Sequence, residues 1–211
     1  MSGSIFEDVG KFEQKLGLPK DFYRRLLGED DWSFVIKLNA LFEGAATHVL
    51  STRLHAPKLV DAFAHLDMLN SKVGKVALLR QLDAITSDQA TLMRQLGELR
   101  NELAHNVRNA MFSFTKHVAS RDANQLAKLV KSFGHGVNEI IAIGDLSISR
   151  EKFVLENPKL ALWITSAEII ACLHLEFEVA AFHVNQIALA EYQRLVQDAN
   201  ALNPKQGASE T

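Results

Sequence analysis

Leu96-Gly97-Glu98-Leu99-Arg100-Asn101-Glu102-Leu103-Ala104-His105-Asn106 sets an arginine, an asparagine and a histidine among regularly spaced leucines. Leu92, Leu96, Leu99, Leu103 and Val107 recur at steps of three and four. That spacing predicts a helix from about Ser87 to Val107 with one buried stripe. Asn101 and His105 stand four apart, on a common face beside the stripe, and Arg108 follows three residues later. Arg100 precedes His105 by five residues, which is roughly 140° around a straight helix, so the two side chains of one copy do not converge on one atom. A local bend in the helix, or a second copy of the chain, would bring them together. The economical arrangement is a symmetric dimer, in which a two-fold axis beside this helix gathers two Arg and two His into one cleft.

Outward from this segment the chain reads as helices throughout. Thr86-Ser87-Asp88 marks the start of the motif helix, with Ser87 or Asp88 as cap. Beyond Val107, Met111, Phe112, Phe114 and Val118 extend it or follow a bend near Arg108-Asn109. Upstream, Ser71 to Leu82 carries Val73, Val76, Leu79 and Leu82 at helical spacing, and Leu59 to Leu69 does the same with Leu59, Phe63, Leu66 and Leu69. His55-Ala56-Pro57 closes a strong helix from Trp32 to about Leu54, because the residue before proline is driven out of helical geometry. The apolar residues of that helix cover more than one stripe, as a central element requires, and Glu43 lies among them. The chain opens with a short amphipathic helix through Ile5, Val9, Phe12 and Leu16, stopped by Gly17 and Pro19, with a further turn over Asp21 to Leu27.

Downstream, Arg121 to Phe133 predicts another helix. Val137 to Ile148 is the one run where strands compete, and irregular or helical structure is preferred there for want of pairing partners. Asn157-Pro158 pairs a cap with a proline at the first helical position and starts a final helix reaching about Leu202, unbroken or with one break. Its middle is apolar on more than one face, which suits a bundle spine or a subunit interface. The expected architecture is an all-α, up-and-down helical bundle in one domain over residues 1–202, with a flexible tail over 203–211.

Composition narrows the classes. A chain of 211 residues, 47% of them hydrophobic, can bury a sizeable core. Its net charge of −2 argues against a protein devoted to nucleic-acid backbone, though not against a cleft with local positive charge. Cys172 is the only cysteine, so neither an intrachain disulfide nor a thiolate zinc cluster can form, and a reducing cytoplasm fits. No secretory leader and no apolar run near 18 to 20 residues is evident, which predicts a soluble cytoplasmic protein without a membrane partner.

Arg100-Asn101-(three residues)-His105 resembles the Arg-polar-x-x-x-His signature of the HEPN superfamily, all-helical domains many of which are metal-independent ribonucleases of toxin-antitoxin and related defence systems. Leu99 to Asn106 also resembles the corresponding stretch of the mannitol-operon repressor family. The resemblance spans Trp32 to Phe114 and stops before Lys116. It implies a HEPN-like four-helix core with extra C-terminal helices. It also implies a homodimer whose composite site draws Arg100, Asn101 and His105 from both copies, an RNA substrate, and restraint by a cognate antitoxin or regulatory protein.

The chemistry of these groups can be argued from their own properties. Cleavage of RNA by its 2′-hydroxyl needs a base near that oxygen, a donor for the leaving 5′-oxygen and a cation for the charge gathering on phosphorus. Histidine titrates near working pH and serves as acid or base. Arginine stays charged and donates two parallel hydrogen bonds to phosphate. Asn101 can orient the phosphate or hold His105. The scheme calls for no metal and no cofactor.

Other readings compete. Arg100 and His105 can belong to a solvated face, paired with Glu98 and Glu102. A repressor-like regulator or adaptor of the same lineage would work through protein contacts without cutting anything. His48, His55, His65 and His117 show no metal-ligand spacing. The group His174, Glu176, Glu178 and His183 lacks the Glu-x-x-His pair of di-metal bundles, and Gly134-His135-Gly136 is too short for a phosphate loop.

Overall fold

Two helices carry the core, and the sequence dictates which. The computed structural model describes residues 4–143 and 146–202; the tail expected over 203–211 lies outside them. Helix α3 (Asp31–Arg53) packs most extensively on the long C-terminal helix α10 (Pro158–Leu202). Phe34, Leu38, Leu41, Phe42, Ala45, Val49 and Leu50 are buried around α3, as a helix apolar on several sides must be. Asp30 caps it, accepting the Ser33 N–H at 2.9 Å.

Helix α1 (Ile5–Lys15) lies along α10 with Val9 and Phe12 buried, and stops before Gly17, which adopts φ +69. A short α2 (Phe22–Arg25) leads into α3. Tyr23 is buried, and its hydroxyl donates to the Trp163 carbonyl while the Trp163 indole donates to the Tyr23 carbonyl at 3.1 Å. That exchange ties the N-terminal segment to α10.

Helix α6 (Ser87–Ala104), the motif helix, packs on α3 and buries Leu92, Met93, Leu96, Leu99 and Leu103. Its cap is Thr86 rather than Ser87 or Asp88: Thr86 and Gln89 bond each other's backbone N–H groups in a capping box. The helix also ends earlier than the spacing of Val107 predicts. The Trp32 indole donates to the Leu103 carbonyl at 3.3 Å and the Asn109 amide to the Glu102 carbonyl at 2.8 Å. These side chains satisfy carbonyls a terminus leaves open, and the chain continues as a 3-10 turn, Val107–Met111.

The segment between α3 and α6 is less helical than its periodicity predicts. After a 3-10 turn at Pro57–Leu59 only α4 (Val60–Ala64) forms, and Leu59 is exposed. Helix α5 runs over Lys75–Gln81, starting four residues beyond Ser71 and leaving Val73 exposed. Two side chains explain both corrections. The Asp67 carboxylate accepts the N–H groups of Leu69 and Asn70, and the Asn70 amide oxygen accepts those of Lys72 and Val73. Such local bonds satisfy the backbone without a helix.

After α6 come α7 (Phe114–Ala119) and α8 (Ala123–Phe133), the latter opened by an Asp122/Gln125 capping box. From the 137–148 run come two antiparallel strands, β1 (Ile140–Ile143) and β2 (Leu146–Ser149), paired in the register Ile141↔Ile148. This corrects the preference for irregular or helical structure: the two halves of the run pair with each other, and Ile141 and Ile148 pack on the core. Ser149 then caps α9 (Arg150–Glu156), a helix not among those the spacing predicts.

Pro158 opens α10, which continues unbroken for 45 residues. By length and composition α10 is long and apolar enough to cross a membrane, which corrects the expectation that no apolar run approaches that length. Of its most apolar 18 residues, 56% are buried inside the protein. From Asn185 to Ala201 every residue is exposed, so the distal half leaves the body. The chain is an all-α assembly, 76% helical, with the strand pair as its one minor sheet among the described residues.

Candidate functional site

Asn39 and Glu43 are one turn apart on α3, in a helix otherwise given to apolar packing. Asn39 is buried and its amide donates to Glu43 Oε1 at 2.7 Å. That carboxylate faces α6, where it meets the Arg100 guanidinium at 3.6 Å. Arg100 also donates to the side-chain oxygen of its neighbour Asn101 at 2.9 Å. With 38% of its side chain accessible, Arg100 is anchored on one side and open on the other. These residues line a cleft of about 170 Å³ whose far wall is Leu66-Asp67-Met68.

Packing sets the cleft's width. A Cβ on Gly97 would stand 2.6 Å from the Leu69 side chain, so the glycine lets the 66–70 segment approach α6 closely. A Cβ on Gly74 would lie 2.5 Å from the Asn70 carbonyl oxygen, which makes the turn into α5 equally tight. Lys75, buried beyond that turn, donates to the Ala64 carbonyl at 3.0 Å. Burial lowers its pKa, and the Glu43 charge opposes that shift.

His105 is not part of this cleft. It is the C-cap of α6, still in helical conformation at φ −79 and ψ −12, and it is exposed. Within one copy, Arg100 and Asn101 stand together at the cleft, and His105 is not among its lining residues. No bend rejoins them: α6 is regular from Arg100 to Ala104, and the cap residue His105 keeps helical backbone angles. Glu98 and Glu102 do not provide Arg100's partner either. They line a separate cavity of about 330 Å³ between α6 and α8, shared with His117, Arg121 and Lys128. His117 approaches the Arg121 guanidinium at 3.3 Å, and burial, reinforced by that charge, lowers its pKa.

Glu43, Asn39 and Asp67 are the cleft residues that sequence reasoning left without a role. The one available signal was a polar pair at i and i+4 inside an apolar helix; its partner on α6 lies 57 positions away from Glu43 and becomes visible only when the helices pack.

The carboxylate-histidine group of α10 disperses. His174 is buried against Phe12, with Glu178 at 3.9 Å, while Glu176 faces Arg53 at 3.5 Å. His183 is exposed. Among the described residues no group of three or more His, Cys, Asp or Glu is arranged to hold a metal ion. Comparison of the chain with protein-family models, curated proteins and solved structures gives no match.

Proposed function

We propose that this chain is a metal-independent endoribonuclease of the HEPN type, acting as a homodimer in which the α6 helices of two copies face each other. The observation that carries the reading is Arg100: it is held at a cleft mouth by Glu43 and Asn101 yet keeps an accessible side. A guanidinium so anchored loses little further freedom when it takes a phosphate. His105, exposed one and a half turns along, is free to reach a substrate bound to the other copy's arginine.

In this scheme Arg100 donates hydrogen bonds to the non-bridging phosphate oxygens. One His105 accepts the proton of the 2′-hydroxyl as its oxygen bonds to phosphorus. The bond to the 5′-oxygen breaks, the other His105 gives that oxygen a proton, and a 2′,3′-cyclic phosphate end remains. The two histidines finish with exchanged protonation states, which solvent resets. A toxin or defence effector of this kind is restrained by a partner protein.

The test is decay of single-stranded RNA in the presence of a chelator, with end-group analysis. Wild-type protein is expected to leave cyclic phosphate ends, and Arg100→Ala or His105→Ala to lower the rate by about 10² or more. Equal rates for all three proteins would remove the enzyme reading.

One observation favours a second reading. Glu43 already neutralises much of the Arg100 charge, and a carboxylate in the cleft repels phosphate. A regulator or adaptor working by protein contacts would need only the ion pair, as an inter-helix tie.

A further inference from the structure

The outward side of α10 carries a heptad pattern with no partner in the chain. Leu175, Phe182, Leu189 and Val196 are seven apart, and Val179, Gln186, Gln193 and Asn200 form a second seven-residue series offset from the first by steps of three and four. Written as heptads, the first series occupies d and the second a. The apolar members are accessible: Leu175 55%, Val179 47%, Phe182 60%, Leu189 51% and Val196 41%. Where α10 is still held by the body, its opposite side is the packed one, with Ala180 buried and Phe177 against the core. The stripe therefore faces solvent from Leu175 onward and runs into the free half of the helix, roughly 39 Å in all at 1.5 Å per residue.

We propose that this stripe is the seam of a parallel, in-register two-stranded coiled coil with a second copy of the chain. The polar a layer selects that occupant. A carboxamide has both a donor and an acceptor, so Gln186, Gln193 and Asn200 each satisfy their own counterpart when like layers meet. An apolar partner helix, or a lipid bilayer, would bury three amides without partners, and an antiparallel mate would set them against the d layer. Charge does not oppose it: Glu191, Arg194 and Asp198 occupy b and f positions away from the seam, and the flanking positions set Glu178, which takes Lys15 of its own copy at 3.0 Å, beside His183 of the other with no like-charge pair. The pairing rests on α10 alone and stands whether or not the α6 cleft cuts RNA.

Light scattering on the full chain at about 50 μM is expected to give twice the 23.5 kDa chain mass. The double variant Phe182→Glu/Leu189→Glu should give the single mass, because the α10 seam supplies the association through which the α6 helices of two copies meet, while the body keeps its melting transition, since both positions are exposed. A single mass for wild type, or a double mass for that variant, would overturn the proposal. Orientation is read by oxidised glutathione in a Cys172→Ala background. Gln186→Cys and Gln193→Cys should each form a disulfide-linked dimer at least about tenfold faster than the outward Glu191→Cys, because only in-register parallel strands bring both positions to themselves. Linking at one of the two, or at neither, excludes the parallel seam, as does sedimentation of monomer with phosphatidylcholine vesicles. Arg100→Ala should leave the mass unchanged, so a failed seam and a failed nuclease give different results.

Discussion

Glu43 joins two helices through two different groups, and the separation of its roles can be measured. Glu43→Ala leaves the buried Asn39 amide without an acceptor, which costs about 1–3 kcal/mol and should appear as a lower urea midpoint. Glu43→Gln keeps an oxygen for that amide but removes the charge opposite Arg100. It should preserve most of the stability and tighten RNA binding several-fold at low salt, read by filter binding, if the cleft takes phosphate. His174 gives a pH signature. Burial lowers its pKa from the ordinary 6.5, against the pull of Glu178 and Asp8 and with Lys15 and Lys11 adding to the fall. His117 shifts the same way. Above that value both residues are neutral, folded or unfolded. As pH drops through it, the unfolded chain takes up protons first and stability declines until the folded pKa values are passed. Urea midpoints taken from about pH 8 to about pH 5 should therefore fall less for His117→Gln/His174→Gln than for wild type once carboxylate effects common to both are subtracted.

At the scale of elements, the cleft depends on how α6 is started and how the 66–75 segment is folded beside it. Thr86→Ala removes half of the capping box and is expected to cost about 1 kcal/mol, whereas Ser87→Ala, at one of the two positions the sequence offers as cap, should be near neutral. Thermal melts of the two variants distinguish the assignments. Gly74→Ala drives a methyl toward the Asn70 carbonyl oxygen, a contact the backbone must move to relieve, and should destabilise by about 1–3 kcal/mol. Helical periodicity was legible in α1, α3, α6 and α10 because each repeats its apolar pattern over several turns. It misled between Leu59 and Leu82, where the same spacing occurs but Asp67 and Asn70 offer the backbone nearer partners. In the 137–148 run, the partner of each strand was the other half of the run itself.

For the whole molecule, the body and the distal half of α10 should behave as separable parts. Every residue from Asn185 to Ala201 is exposed and contributes little to the core. Deleting the chain beyond Val184 is expected to leave the calorimetric melting temperature of the body within a few degrees, after allowance for the lost mass action of any dimer. A loss of cooperative melting on that deletion would mean that the arm is needed for folding, not only for association.

The all-helical class, the early stop at Gly17, the central place of α3 and the opening of α10 at Pro158 are properties of local pattern: apolar spacing and cap chemistry act within a few residues and are written in the order of the chain. The five-residue offset that keeps Arg100 and His105 of one copy apart is of the same kind, a consequence of helix pitch. Tertiary structure alone decided that Arg100 answers to Glu43 rather than to Glu98 or Glu102, that Trp32 and Asn109 cap the end of α6, and that Leu69 sets the width of the cleft against Gly97. Apart from the Asn109 cap, which reaches back seven residues, those contacts join residues far apart in the chain, and their energies depend on which faces the packed helices turn toward each other, a choice that no local spacing encodes.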